Sequence, residues 1–198
     1  MSRKMLIVDM TKCTGCRMCE VACSQYNQGR SQPECSRVHI VKWDDKGLDV
    51  PVMCLQCEVP FCKTACPVKA IYRDEKLGVY RVNYDKCSSC GLCVLACPYG
   101  GMTLLQDTKK VAKCDVCGGD PKCARFCPTG ALSYIEENDS LLREKRTRDA
   151  DFRKVMMKTG SALDKKRIVA TKLLGIDAPN VVTLTEHGLF KKSRNQAK

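Results

Sequence analysis

The 198-residue sequence predicts an α+β fold of short antiparallel strands and short helices around metal-binding loops, followed by a mostly helical or irregular C-terminal extension. Three observations lead to this prediction. Seventeen residues are cysteine, and sixteen of these fall into four tight groups. Short apolar runs flank the groups, while only 4 Phe and 1 Trp are available to build an aromatic core. The last 61 residues contain no cysteine and differ in composition from the rest.

Such a cysteine density is typical of either a disulfide scaffold or a metal protein. The apolar run at the N-terminus, residues 5–8, is too short for a secretory signal, and no twin-arginine pair is present. No segment approaches the length of a membrane span. We therefore expect a cytoplasmic protein without a membrane span, whose thiols stay reduced and bind metal.

The four cysteine groups share one pattern. Each ends in C-x3-C, and three are followed directly by proline, whereas group one has Ser24 at that position. Groups one and three align without a gap, and groups two and four align after a one-residue insertion, so a duplicated unit is the simplest origin. The groups are Cys13, Cys16, Cys19, Cys23 (one); Cys54, Cys57, Cys62, Cys66 (two); Cys87, Cys90, Cys93, Cys97 (three); and Cys114, Cys117, Cys123, Cys127 (four).

The regular elements are predicted from the segments around these groups. Apolar runs predict short strands at residues 5–8, 38–41, 79–82 and 131–135. The C-x2-C stretches are rich in glycine and cysteine, so we expect loops that wrap around metal. The segments "CEVAC", "CKTAC" and "CVLAC" each predict a short helix, which ends at the following proline where there is one.

The composition changes after about Glu137, which predicts a core over residues 1–137 and an extension over 138–198. The extension carries 15 of the 34 basic and 7 of the 22 acidic residues, a net charge of +8. Two stretches have broken helical spacing, with Ser140 and Ser161 as N-caps and Gly175 at a helix end, and residues 177–198 are predicted to be irregular. We expect this basic extension to dock a partner or to cover the core.

The spacing C-x2-C-x2-C-x3-C-P is typical of a [4Fe–4S] cluster in bacterial ferredoxins. Three closely spaced thiols reach three iron corners, and the fourth cysteine of the run ligates a neighbouring cluster. Zinc is the alternative, but zinc sites usually have two separated C-x2-C pairs and need no third thiol. The sequence therefore predicts four [4Fe–4S] clusters, while spacing alone leaves open which groups pair with each other.

Each predicted ligand set is complete, so no iron corner is left open for a substrate, and electron transfer is favoured over catalysis. No phosphate-binding or dinucleotide-binding motif is present. The formal charge of +12 falls to near +4 when four clusters contribute about −8. Nucleic-acid binding is not expected, because no aromatic platform accompanies the basic residues.

Several residues remain outside the ligand sets. Cys35 is interpreted as a structural free thiol, and His39 and His187 as ordinary side chains. A lysine directly precedes the first cysteine of three groups, where a cation could raise a reduction potential or could simply be a solvated surface residue. These lysines are Lys12, Lys86 and Lys113.

The sixteen cysteines, together with "CPVKAI", "CPYGGM" and "CDVCGGDPKCARFCPTGAL", resemble four-cluster ferredoxin-like electron-transfer subunits of multisubunit oxidoreductases. The resemblance spans roughly residues 5–135. It is greatest to the small subunits of tungsten aldehyde oxidoreductase-type enzymes and to carbon monoxide dehydrogenase-linked ferredoxins. It implies tandem bacterial ferredoxin-like modules, one from groups one and four and one from groups two and three. It also implies these nested ligand sets: Cys13, Cys16, Cys19 with Cys127; Cys114, Cys117, Cys123 with Cys23; Cys54, Cys57, Cys62 with Cys97; and Cys87, Cys90, Cys93 with Cys66.

The resemblance further implies a non-catalytic subunit that relays single electrons to or from a catalytic partner, with a tungsten- or molybdenum-pterin enzyme favoured. A further electron donor or acceptor protein is a second expected partner. The alternatives are a free soluble polyferredoxin carrier, or a subunit of a carbon monoxide dehydrogenase or hydrogenase complex. The extension favours the bound subunit, because a free carrier has little use for 61 cysteine-free residues.

Overall fold

The computed structural model describes residues 4–43, 47–136, 183–184 and 190–191. These residues form short strands and four α-helices. The strands are β1 Lys4–Val8, β2 Val38–Trp43, β3 Leu48–Met53, β4 Ile71–Asp74, β5 Val79–Val82, β6 Met102–Leu104, β7 Val111–Lys113, β8 Leu132–Glu136, β9 Thr183–Leu184 and β10 Phe190–Lys191. The helices are α1 Met18–Gln28, α2 Phe61–Thr64, α3 Leu92–Leu95 and α4 Lys122–Arg125. This composition confirms the predicted α+β class of short strands and short helices.

The strands form two-stranded antiparallel sheets. The pairs are β2 with β3, β4 with β5, β6 with β7, β9 with β10, and β1 with β8. In the last pair Lys4 lies opposite Glu136 and Val8 opposite Leu132, so residues from both ends of the 4–136 segment share one sheet. The prediction that residues 177–198 are irregular is wrong at β9 and β10, which pair through Phe190–Leu184 and Lys191–Thr183.

Helix α1 is longer than the other three because its cysteine group lacks the terminal proline. A proline at position 24 would remove a backbone N–H and clash with the preceding turn. Ser24 instead lies inside the helix, fully buried, and its hydroxyl donates to the carbonyl of Val21 at 3.1 Å. The helix continues to Gln28 and ends at Gly29, whose φ of +69° is a left-handed conformation that suits glycine.

Two hydrophobic clusters make up most of the described core. The first joins cysteines of groups two and three to residues of β4–β7: Ile71, Tyr80, Cys93, Val94, Met102, Leu104 and Val111. The second joins cysteines of groups one and four to residues of β2, β3 and β8: Cys19, Cys23, Val38, Ile40, Met53, Cys123 and Leu132. Helix α1 packs against α4, and α2 packs against α3. Groups two and three therefore share the first hydrophobic cluster, and groups one and four share the second.

The remaining predictions for the extension lie outside the described residues. These are the proposed caps at Ser140 and Ser161, the helix end at Gly175, and His187. Within the described ranges, no helix has the length and apolar character that a membrane crossing would need.

Candidate metal centres

Four cavities are each lined by four cysteines. In every case three cysteines come from one group and the fourth is the last cysteine of another group, and each cavity is named here after the group that supplies three. The linings are Cys13, Cys16, Cys19 and Cys127 (group-one cavity); Cys54, Cys57, Cys62 and Cys97 (group-two cavity); Cys66, Cys87, Cys90 and Cys93 (group-three cavity); and Cys23, Cys114, Cys117 and Cys123 (group-four cavity). The structure thus brings together the four members of each predicted set.

The four cavities are similar in size. Their volumes, including the part that opens to solvent, are about 300, 370, 310 and 290 Å³ in the order of groups one to four. Among the described residues, no set of three or more His, Cys, Asp or Glu side chains is arranged around a single metal ion. In each cavity the four thiols line one common space.

The four groups share a backbone turn. In the first C-x2-C stretch of each group the residue before the second cysteine has a positive φ: +63° at Gly15, +50° at Gln56, +56° at Ser89 and +52° at Val116. Three of these are not glycine, and a left-handed conformation costs such residues on the order of 1–2 kcal/mol. Sequence reasoning predicted loops here but missed this turn, because glutamine and valine carry no signal for it.

Asp115 fixes the group-four loop. Its Oδ1 accepts hydrogen bonds from the Cys117 backbone N–H at 3.3 Å and from Arg37 Nη1 at 2.6 Å. Its other oxygen lies 3.6 Å from Nη2 of Arg81. Since Arg37 precedes β2 and Arg81 belongs to β5, this carboxylate joins strands from both core clusters to the same cysteine loop.

Backbone and side-chain donors approach the fourth cysteine of two groups. The Arg37 backbone N–H donates to Cys23 Sγ at 3.3 Å, and the Asn27 side-chain amide donates to the same sulfur at 3.5 Å. The Ala70 N–H donates to Cys66 Sγ at 3.2 Å. Hydrogen bonds of this kind stabilise a sulfur that carries negative charge, as a metal-bound thiolate does.

Without metal, most of the resolved thiol pKa values are shifted upward. Burial raises the pKa of Cys19 and Cys93 to about 12, and that of Cys62 to about 11. Cys127 differs: burial opposes its ionisation, but backbone N–H donors led by Leu132 outweigh burial and lower its pKa. Because a thiol must lose its proton to bind metal, iron must displace these protons and offset the buried charge. Four thiols, apolar walls and N–H donors to sulfur together fit a [4Fe–4S] cluster.

The three lysines that precede cysteine groups fall into two classes. Lys12 and Lys86 are exposed, as expected for solvated surface lysines, and Lys12 pairs with Asp9 at 3.3 Å. Lys113 is only 3% exposed, and its Nζ donates to Cys54 Sγ at 2.9 Å. The surface interpretation is therefore wrong for Lys113, which lines the group-two cavity.

Cys35 and His39 lie apart from the four cavities. Cys35 is buried against Leu105 and Ala112. The Nε2 atom of His39 lies 3.1 Å from the Thr103 hydroxyl, a hydrogen bond between β2 and β6. Both placements agree with the interpretation of these residues as ordinary structural side chains.

Comparison with protein families identifies two matching segments. Residues 46–137 match a 4Fe–4S dicluster domain, and residues 10–26 match a 4Fe–4S binding domain. Together the two matches include all sixteen cysteines that line the cavities.

Curated proteins of similar sequence are named as electron-transfer or oxidoreductase proteins. The aliphatic sulfonate oxidoreductase polyferredoxin-like subunit of Pyrococcus furiosus is 43% identical over 122 residues, 62% of this chain and 70% of that protein. The electron transport protein HydN of Escherichia coli K12 is 36% identical over 174 residues, covering 74% of this chain and 97% of HydN. The NADH-dependent phenylglyoxylate dehydrogenase subunit beta of Aromatoleum evansii is 40% identical over 130 residues, 64% of this chain but 29% of that longer protein.

Proposed function

Because this chain belongs to the family of ferredoxin-like 4Fe–4S electron-transfer proteins, we propose that it relays single electrons through four [4Fe–4S] clusters to or from a catalytic oxidoreductase subunit. The observation that carries the proposal is the set of four cavities, each framed by four thiols. Each cluster, when bound, accepts and releases one electron. The chain itself is a non-catalytic member of the complex in this proposal.

The proposed ligand sets are the four cavity linings. Groups one and four then form one ferredoxin-like module, and groups two and three form the other, within a core of residues 1–137. The two hydrophobic clusters support this division, because each contains cysteines from one pair of groups. The exchange of the fourth cysteine within each module ties its two sites into one folded unit.

Buried apolar residues line the group-two and group-three cavities and limit the access of water to them. Met102 and Tyr80 are buried beside the group-two cavity, and Ile71 and Val111 beside the group-three cavity. Such apolar walls lower the local dielectric constant and strengthen every N–H to sulfur interaction. Because all four thiols of each set are committed as ligands, no position is left for a substrate, so the sites suit electron transfer.

A tungsten- or molybdenum-pterin enzyme is the catalytic partner that we favour. Support comes from the sequence resemblance to small subunits of such enzymes, and from the similar Pyrococcus furiosus protein, which is named as a subunit of an oxidoreductase. A subunit of a carbon monoxide dehydrogenase or hydrogenase complex, or a free soluble carrier, is the alternative. We place the protein in the cytoplasm, where its thiols stay reduced.

Metal analysis tests the proposal. Protein purified without oxygen from its own organism is expected to contain about 16 iron and 16 labile sulfide per chain, and its brown colour should bleach on reduction. Stoichiometric zinc with little sulfide would refute the cluster assignment. Mass spectrometry of the co-purifying proteins then identifies the partner, and a pure, unaccompanied chain would favour the free carrier.

A further inference from the structure

Lys113 lies between two of the cavities. It is the last residue of β7, directly before Cys114 of the group-four cavity. Its side chain donates from Nζ to Sγ of Cys54 in the group-two cavity at 2.9 Å. Lys113 therefore contacts a ligand sulfur of one site and is bonded through its backbone to a ligand residue of another.

The hydrogen bonds of Lys113 match those of an ammonium group. Besides the Cys54 sulfur, Nζ donates to Gln56 Oε1 at 3.2 Å and to the Cys114 carbonyl at 3.5 Å. An ammonium has three N–H donors and no acceptor, which agrees with three acceptors and a buried position. A neutral amine would have two donors and would leave one of these contacts unmade.

Gln56 fixes this arrangement. Its Oε1 also accepts the Tyr80 backbone N–H at 2.8 Å, and its Nε2 donates to the Cys114 carbonyl at 2.7 Å. Both ends of the amide are thus bound to backbone groups of other segments. These contacts place the lysine Nζ at the Cys54 sulfur, away from solvent.

We propose that Lys113 raises the reduction potential of the cluster in the group-two cavity, so that this cluster holds the electron at the junction between the two modules. The inference rests on the proposed function. Reduction adds negative charge to the site, and a cation hydrogen-bonded to a ligand sulfur stabilises the reduced form more than the oxidised form. Because Lys113 is only 3% exposed, water screens this interaction little.

The test is a redox titration of the holoprotein followed by electron paramagnetic resonance. Lys113→Met removes the charge while keeping the side-chain length. We expect one of the four clusters to become about tenfold harder to reduce, ~59 mV for a one-electron couple, at unchanged iron content. Lys113→Arg keeps the charge and should restore most of the shift.

Lys86→Met is the matched control, because Lys86 also directly precedes the first cysteine of a group but is exposed. It should leave all four potentials unchanged. Lys113→Gln is a second neutral variant that retains hydrogen-bonding capacity, in case the methionine variant folds poorly. Either neutral variant with full iron and wild-type potentials would overturn the inference, and so would loss of a cluster in both, which would make Lys113 a structural residue. Failure of the proposed function is distinguishable, because it shows as missing clusters in the wild-type protein.

Discussion

The place of a cysteine within its run decides which cavity it enters. Cys13, Cys16 and Cys19 line the group-one cavity, while Cys23, one helical turn further along α1, lines the group-four cavity with Cys114 and its neighbours. Helix α1 packs against α4, which carries Cys123, and this contact brings the distant residues together. A substitution at Cys23 should therefore act at a site some ninety residues away in sequence.

Cys23→Ser tests this expectation. We predict loss of the group-four cluster, or its conversion to a form with fewer irons, with the iron content falling by up to about four per chain. The group-one cluster should be retained. Iron and sulfide analysis combined with Mössbauer spectroscopy measures the change.

Cys35→Ala provides the control for that experiment. Cys35 is as buried as Cys23 but packs against Leu105 and Ala112, away from the cavities. Its removal should leave all iron in place. A normal group-four cluster in Cys23→Ser would contradict the nested ligand sets.

The sequence predicted the sixteen cavity cysteines because their spacing is a local pattern. It could not separate Lys113 from Lys12 and Lys86, since all three stand in the same position before a cysteine. The difference arises from pairing: β7 is buried along its whole length beside β6, and this pairing carries Lys113 into the interior. Such burial depends on contacts that a local pattern does not contain.

At the level of elements, the apolar runs located β1, β2, β5 and β8 to within two residues. The remaining strands of the 4–136 segment, β3, β4, β6 and β7, were not predicted, and their sequences show why. Strand β3 contains Pro51, which argues against a strand away from a sheet edge. Strand β4 reads IYRD and is half polar, while β6 and β7 have only three residues each. These strands exist because a partner pairs with them in a two-stranded sheet, where every strand is an edge.

Close backbone packing holds the group-two loop in place. A Cβ atom at Gly101 would lie 2.6 Å from Cys54 Cα and 2.7 Å from the Met53 carbonyl oxygen, closer than non-bonded atoms can approach. Gly101→Ala should therefore push the loop outward, at a cost of about 3 kcal/mol. We predict faster loss of the group-two cluster in the presence of an iron chelator, measured by the decay of visible absorbance.

Gly130→Ala is the comparison for this variant. A Cβ there meets nothing within 4 Å, so only its left-handed φ of +67° is strained, which costs about 1–2 kcal/mol. Chelator should remove its clusters at close to the wild-type rate. Equal rates for Gly101→Ala and the wild type would show that the loop tolerates the displacement.

At the scale of the whole molecule, the β1–β8 sheet ends at Glu136, shortly before the cysteine-free extension begins. A chain that stops after Glu137 keeps this sheet and all sixteen cavity cysteines. We predict that it retains four clusters and wild-type spectra but assembles less well with the catalytic partner. Iron analysis and the affinity for the isolated partner are the measurements.

Charge provides a finer version of this experiment. The extension has a net charge of +8, so neutralising Lys165, Lys166 and Arg167 with glutamine should weaken the complex and reduce its sensitivity to salt. Unchanged affinity of both the shortened and the neutralised proteins would leave the extension without a docking role.

The division into two modules follows from the resemblance and stays a prediction, because spacing alone also permits group one to pair with group two. The pairing of β1 with β8, across nearly the whole 4–136 segment, has a consequence for biosynthesis. The cysteines of groups two and three have all left the ribosome once residue 97 has emerged. The group-one and group-four cavities, in contrast, are complete only after Cys127 and β8 have been made. The end of β8, Glu136, lies 39 residues after Cys97 (136 − 97), so at 5–20 residues per second the delay is roughly 2 to 8 s. The two sites built from groups two and three would then receive iron and sulfide first, and the two built from groups one and four would follow. The thiols of group one, which are made first, would wait longest for metal.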